Sequence, residues 1–437
     1  MQISFAFQGR CTPYLNTCEP IAGDDNLYFE EMKSQKKMRI ALITETFPPQ
    51  INGVSRTLGM LTKHLLEQGH DVLVIHPDYG KIASELGINP EYKNRLQIQT
   101  VPALPLPFYK EILIPRPPFS KYKTVLSAFN PDLVHIATEG GLGLSALRYC
   151  KKRRLPVVSS FHTNFDAYAS HYRMRWAVPM VARYLRWFHN RTLVTYVPSM
   201  TMIHRLERLG FERLRLWTRG VNASLFRPQR PGSKAVRDQF QIPENAVVIG
   251  HCGRLAPEKN IDYLADVFSQ VLHKSTDSHI LVVGDGPSRI GFENRLKNIT
   301  QAAGRVHFTG YLTGEPLADA YSAMNLFGFS SRTETFGNVL LEAMASGLPV
   351  AAIADGGPAD VVQDQVSGRL IAPDAPPEEM SQILVEWITD KTFRQNIAMN
   401  ARNYAETVTW EQIMNGLLKN YQEALKSFHS ENPKSSS

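Results

Sequence analysis

The stretch MRIALITETFPPQINGVSRTLGMLTKHLLEQGHDVLVIHP, residues 38–77, passes from a short apolar run through a polar turn into a longer amphipathic run, then back to an apolar run. RIALIT (39–44) and DVLVIHP (71–77) predict strands. SRTLGMLTKHLLEQG (55–69), which ends at a glycine, predicts a helix. Strand, helix and strand in such close succession predict a parallel pair joined by a helical crossover.

The same alternation runs outward from this unit. LQIQTVPA (96–103), DLVHIAT (132–138) and PVVSSFHT (156–163) predict further strands, and GLGLSALRYCKKRR (141–154) a helix between two of them. The pattern weakens at FRPQRPGSKAVRDQFQIPENA, residues 226–246, whose proline, polar residues and charge predict a linker. A second series then begins: AVVIGHCG (246–253), SHILVVGDG (278–286), RVHFTG (305–310), LFGFSS (326–331), LPVAAIAD (348–355) and SGRLIAP (367–373). TWEQIMNGLLKNYQEALKSF (409–428) predicts a final helix, and the polar tail 429–437 a disordered end. The expected class is α/β, with two doubly wound domains, 38–225 and 247–408, facing a central cleft. Open sheets of this kind bind ligands beyond the carboxyl ends of their strands.

Composition narrows the class. The chain has 437 residues, 43% of them apolar, enough for two ordinary cores. No run approaches the length that crosses a bilayer. Cys11, Cys18, Cys150 and Cys252 are scattered without metal spacing, which fits a reduced compartment. Residues 1–37 lack a basic start followed by an apolar stretch, so they do not read as a secretory signal. They are also unlike the strand opening MRIALIT at Met38, and translation is expected to begin at Met32 or Met38. Through residue 225 there are 29 Lys and Arg against 17 Asp and Glu; the remainder carries 19 against 24. An excess of basic residues in the first half suits nucleic acid, an anionic membrane surface or phosphorylated ligands.

Four constellations fall at strand ends. TETFPPQINGVSRT (44–57) opens a helix near Val54, where Gly53 allows close approach and the helix start favours an anion. A glycine in such a turn serves simple turn chemistry as readily. SSFHTNFDAY (159–168) places His162 at a strand end, as a backbone cap or a catalytic group. GRLAPEKN (253–260) offers Arg254 and Lys259 as a diphosphate clamp, with Glu258 to orient one of them; a solvated charged loop is the plain alternative. SRTETFGNVLLEAMASGLPV (331–350) sets Glu334 in a polar loop and Glu342 inside a short apolar helix that Gly347 and Pro349 stop. A half-buried carboxylate such as Glu342 needs a hydrogen-bond partner, within the fold or on a ligand. GDGPSR (284–289) and FTGYL (308–312) add two glycine loops.

Together GRLAPEKN, LVVGDGP, FTGYL and the pair Glu334 and Glu342 around FGNVLLEAMASGLPV resemble glycosyltransferase family 4, over nearly all of residues 38–425. TETFPPQINGVSRT, FHTNF and RLRLWTRGVNASLFRP (213–228) occur in the family's order. The resemblance implies the GT-B fold, two Rossmann-like domains facing a cleft, and a retaining transfer from a nucleotide sugar. It implies that Glu334 lies against the donor sugar and that Glu342 accepts both ribose hydroxyls. Thr335, Phe336, Gly337, Asn338 and Val339 would turn backbone N–H groups toward sugar and diphosphate. Gly53, Gly253, Gly284 and Leu312 would line the same donor site, and His162 would sit near the reacting sugar. Arg254 and Lys259 would stabilise the departing diphosphate in place of a metal. The sequence has no D-x-D motif, so no metal and no cofactor are expected, the nucleotide sugar being a co-substrate.

The closest resemblance is to bacterial members that move mannose from GDP-mannose, or sulfoquinovose or another hexose from UDP, to lipids. RMRWAVPMVARYLRWFHNR (173–191) interleaves arginines with aromatics, which suits core packing or docking on an anionic bilayer. The implied location is cytoplasmic, on the inner face of the membrane, with a lipid or glycan acceptor. The rival within the fold is a UDP-sugar epimerase. A nucleic-acid partner is not expected, because no recognition module is present. A glycoside hydrolase would need its carboxylates on opposite sides of the scissile bond.

Overall fold

The computed structural model describes residues 37–50, 52–79, 88–106, 109–116, 120–162, 178–297 and 304–432. From Arg39 onward the described residues belong to one compact unit. The extension 1–37 lies outside the described residues apart from Lys37, and both large sheets belong to this unit.

The stretch 38–77 folds as its pattern predicts. β1 (Arg39–Ile43) and β2 (Asp71–Pro77) pair in parallel, with the helix Gly53–Glu67 between them in the chain. Asn52 caps that helix by accepting from Ser55 N–H at 2.8 Å. In chain order come β3 (Leu96–Val101), β4 (Ala103–Leu106), β5 (Tyr109–Pro115), β6 (Leu133–Ile136), β7 (Val157–Ser160), β8 (Thr195–Val197) and β9 (Leu214–Leu216). β4 and β5 form a separate antiparallel hairpin, and the other seven make one parallel sheet in the order β3-β2-β1-β6-β7-β8-β9.

The second sheet holds β10 (Val247–Cys252), β11 (Ser278–Val283), β12 (Val306–Gly310), β13 (Leu326–Phe329), β14 (Val350–Ile353) and β15 (Gly368–Ile371), in the order β12-β11-β10-β13-β14-β15. Its central strands are buried at nearly every position, which is why they read as unbroken apolar runs. Each fully buried Leu, Ile or Val contributes roughly 1.5–3 kcal/mol over exposure. In both sheets the strand order reverses beside the first strand, at β1/β6 and at β10/β13. Ligand crevices form beyond strand ends at such reversals.

The predicted linker 226–246 contains the helix Gly232–Gln239 and packs on the second domain. Phe226 and Ile242 are buried, and Arg230 pairs with Asp319 at 2.6 Å and with Glu315. The reason is charge satisfaction that composition does not reveal. One expectation needs correcting, at the end of the chain. The last helix is Trp410–Glu431, so residues 429–431 are helical rather than disordered, while 433–437 lie outside the described residues. This helix returns to the first domain, where Tyr421 Oη lies 2.5 Å from His135 Nδ1 and Arg215 of β9 pairs with Glu423.

Candidate active site

Beyond the carboxyl ends of the second sheet, three loops are joined backbone to backbone. Gly253 N–H donates to Val283 O (3.0 Å), Leu255 N–H to Asp285 O (2.9 Å) and Gly284 N–H to Gly310 O (2.8 Å). At Gly284, φ is +134° and a Cβ would lie 1.9 Å from Gly253 O, so only glycine fits. Tyr311 Oη donates to Asp285 O at 2.8 Å, and Leu312 packs half-buried on the core behind the shelf.

The predicted cations stand beside this shelf. Arg254, nearly half exposed, pairs with Glu258, and Lys259 Nζ donates to Glu334 Oε1. The turn Pro257–Lys259 is tied to the loop after β13: Ser330 Oγ donates to Lys259 O and Thr333 Oγ1 to Glu258 O, both at 3.0 Å. Lys259 and Glu334 are therefore brought together by two loops that fasten each other.

From Glu334 the chain passes through Thr335, Phe336 and Gly337 into the helix Asn338–Ala345. Gly357 N–H donates to Glu334 O at 3.0 Å and fixes the loop. Gly337, at φ +94°, is the N-cap, and no side chain caps the helix. Its first N–H groups, around Asn338 and Val339, are thus available to an anion.

Glu342 lies one turn into this helix and is 3% exposed. Its Oε1 accepts from Arg56 Nη1, and its Oε2 accepts from Tyr321 Oη at 3.2 Å. Arg56 belongs to the other domain, on the helix Gly53–Glu67. The Glu342 charge raises the Arg56 pKa, against the effect of burial. A Cβ on Gly53 would lie 3.5 Å from Asn338 Nδ2, so two helix N-termini, one per domain, meet at this point. Arg56 and Tyr321 are site residues that the sequence reading does not single out. Arg56 falls within TETFPPQINGVSRT, but an arginine in a first helical turn looks like a solvated charge.

On the first domain, His162 follows β7. Its Nδ1 lies 3.0 Å from Arg219 Nη2 and its Nε2 lies 2.8 Å from Ser160 Oγ. A guanidinium only donates, so Nδ1 accepts and Nε2–H donates to Ser160. These ring partners are side chains rather than the backbone groups that a capping histidine would serve. Burial, then the Arg219 charge, hold the imidazole well below its usual range. Arg219 is itself buried, which lowers it to about 9. His162 is therefore a fixed, uncharged group. At the β1/β6 reversal, Glu45 Oε1 accepts from Leu142 N–H at 2.9 Å, and burial raises its pKa with Glu139 adding to the effect. Glu139 in turn lies 3.0 Å from His189 Nε2.

This arrangement offers one uncapped helix start and cations for a diphosphate, and carboxylates for hydroxyl groups. Residues 246–390 match the family described as Glycosyl transferases group 1, and residues 51–225 match Glycosyltransferase Family 4. A GDP-mannose-dependent alpha-mannosyltransferase of Mycobacterium tuberculosis is 31% identical over 392 residues, 88% of this chain and 96% of the relative. The chain belongs to glycosyltransferase family 4. Another relative, the sulfoquinovosyl transferase SQD2 of Arabidopsis thaliana, is 29% identical over 383 residues, 86% of this chain and 71% of the relative. The crystal structure of Anabaena Alr3699/HepE in complex with UDP superposes with a TM-score of 0.70 at 20% identity, over 88% of this chain and all of that one. The family 4 chain thus has the GT-B fold and is a glycosyltransferase. Among its described residues no helix is long and apolar enough to cross a membrane.

Proposed function

We propose that this glycosyltransferase retains anomeric configuration, needs no metal, and moves a hexose from a nucleotide sugar to a lipid acceptor. The observation that carries the reading is the Glu334–Glu342 unit, in which one carboxylate meets Lys259 and the other lies beside an uncapped helix start. Glu342 accepts the two ribose hydroxyls, Glu334 a sugar hydroxyl, and the N–H groups of Thr335 to Val339 face the diphosphate. The donor's C1–O bond breaks with its electron pair leaving on the diphosphate, where Arg254 and Lys259 stabilise the growing charge. The acceptor oxygen bonds to C1 on the same face, and its proton passes to the leaving phosphate oxygen. His162, neutral and held by Arg219, lines the sugar side without exchanging protons.

GDP-mannose is the favoured donor, on the strength of the mannosyltransferase relatives matched along nearly their whole length. A UDP-hexose is the second reading, favoured by the sulfoquinovosyl transferase and by the alpha-monoglucosyldiacylglycerol synthase of Streptococcus pneumoniae. Ligands raise apparent stability by mass action, so a thermal-shift series with GDP, UDP and their sugars separates the two. The protein stabilised by neither would lose the nucleotide-sugar reading.

The lipid acceptor is supported by the helix Val178–His189. Its Leu185 and Phe188 are buried, while Met180, Arg183 and Trp187 form an exposed stripe, and Arg191 lies over the Trp187 ring at 4.4 Å. Core packing and surface docking thus fall on opposite faces of one helix. Residues 173–177 of the predicted basic segment lie outside the described residues. An anionic inner membrane face fits the exposed stripe.

A further inference from the structure

Glu342 is one point where the two domains share a side chain. A carboxylate has about four lone-pair sites, two on each oxygen. Arg56 takes one on Oε1 and Tyr321 takes one on Oε2. One site per oxygen is left, which matches the two hydroxyls of a vicinal diol. The pair of fixed partners also sets the plane of the carboxylate, since they come from different elements: Arg56 from Gly53–Glu67 and Tyr321 from Gly314–Ala323.

Arg56 is itself held. Its guanidinium carbon lies 5.9 Å from the Phe226 ring centroid, and Phe226 meets Tyr321 edge-on at 5.6 Å. Phe226 and Tyr321 are 1% and 0% exposed, so neither can swing away cheaply. Buried Phe226 and Tyr321 thus back Arg56 and Glu342, whose side chains are 39% and 4% exposed.

We propose that Arg56 is a positioning residue of the nucleotide site, supplied by the first domain, which with Tyr321 orients Glu342 so that each oxygen keeps one lone pair for a ribose hydroxyl. The inference rests on the reading of Glu342 as the ribose ligand. It adds that the orientation of Glu342 depends on a residue of the first domain's helix Gly53–Glu67. In this role Arg56 acts through the carboxylate.

The test compares affinities by calorimetry for GDP and 2′,3′-dideoxy-GDP, and for UDP and its dideoxy form, in wild type, Arg56→Ala and Arg56→Lys. Wild type should prefer the ribose form by about tenfold or more, the scale of hydrogen bonds to a charged group. Arg56→Ala should shrink that preference to about threefold or less, and Arg56→Lys should restore part of it. A merely structural loss would weaken both nucleotides alike and leave the ratio untouched. An unchanged ratio in Arg56→Ala overturns the role of Arg56 and leaves the ribose reading standing. Tighter ribose binding in Arg56→Ala also overturns it, since Arg56 would then be a competitor. A wild type indifferent to the ribose hydroxyls removes the ribose reading, and the inference with it.

Discussion

Glu334 and Glu342 lie eight residues apart and hold cations from opposite domains. The first, its side chain 23% exposed, pairs with Lys259 of its own domain; the second, 4% exposed, pairs with Arg56 across the cleft. The division matches two tasks. A partly open carboxylate beside a lysine can follow a changing sugar, while a buried one held from both sides suits a diol that does not change during the reaction.

That contrast predicts different phenotypes for near-isosteric substitutions. Glu342→Gln should lower nucleoside diphosphate affinity by about 1–3 kcal/mol, the range for a hydrogen bond to a charged group. Glu334→Gln should leave diphosphate affinity near wild type and reduce kcat instead. Calorimetry with GDP and UDP, set beside steady-state rates, checks both. Equal losses of affinity in the two variants would remove the division of labour.

Lys259 and Arg254 are expected to act on the leaving group. Changing either to Ala should lower kcat by about two to three decades, the scale for one preorganised charge stabiliser. KM for the donor should move less, because the phosphate charge grows toward the transition state. Lys259 should be the more sensitive of the two, since its loss also strips Glu334 of its partner. Normal turnover in both variants would contradict the clamp.

The helix Val178–His189 can be tested apart from the chemistry. Each basic residue near an anionic surface is worth about 1 kcal/mol. Vesicle co-sedimentation should therefore show binding to anionic but not neutral vesicles, weakened by salt that screens over roughly 8 Å at physiological strength. Arg183→Glu with Trp187→Ala should release the protein while donor binding stays intact. Arg186 is a poorer choice than sequence alone suggests, because it also donates to Leu209 O at 3.1 Å. A wild type that ignores anionic vesicles at low salt would favour a soluble glycan acceptor.

Buried histidines set an acid limit on stability. Burial lowers His135 to about 3, and His251 and His307 to about 4, from an ordinary 6.5. With the folded value below the unfolded one, the neutral form stabilises the fold. That contribution is fully present above pH 6.5, is lost progressively as pH falls from 6.5 to the folded value, and changes no further below it. Each such group changes stability by about 1.4 kcal/mol per pH unit within its window. His307 stacks on His279, its Nε2 3.0 Å from His279 Nδ1, and burial lowers both, so the two titrate as a pair and His307→Phe should flatten the pH dependence of urea unfolding between about pH 6 and 4.5. An unchanged slope would remove His307 from the account.

Much of this organisation is legible in the sequence because long apolar strands and glycine loops are local signals. RIALIT, SHILVVGDG and LPVAAIAD each contain their strand with only the ends overrun, since strand boundaries carry little pattern. The hairpin β4–β5 is hidden by Pro102, Pro105 and Pro107, and β8 and β9 are too short at three residues to show a period. The site divides in the same way. Lys259 and Glu334 stand out by motif, whereas Arg56 and Arg219 look like ordinary surface arginines until the fold brings a carboxylate and an imidazole to them. Within segment 226–246 the packing is hidden because Arg230 is partnered by Asp319 and Glu315 of one helix far along the chain.

The central claim is metal-free transfer from a nucleotide sugar. The most direct measurement is release of nucleoside diphosphate from GDP-mannose and from UDP-glucose, in EDTA, with and without diacylglycerol in anionic vesicles. The account predicts release from one of the two donors, dependent on the acceptor, matched mole for mole by glycolipid of retained configuration, and lost in Lys259→Ala. Activity that vanishes in EDTA and returns with Mn²⁺ would contradict the metal-free claim, and free sugar released without acceptor at the rate of transfer would contradict the transferase reading.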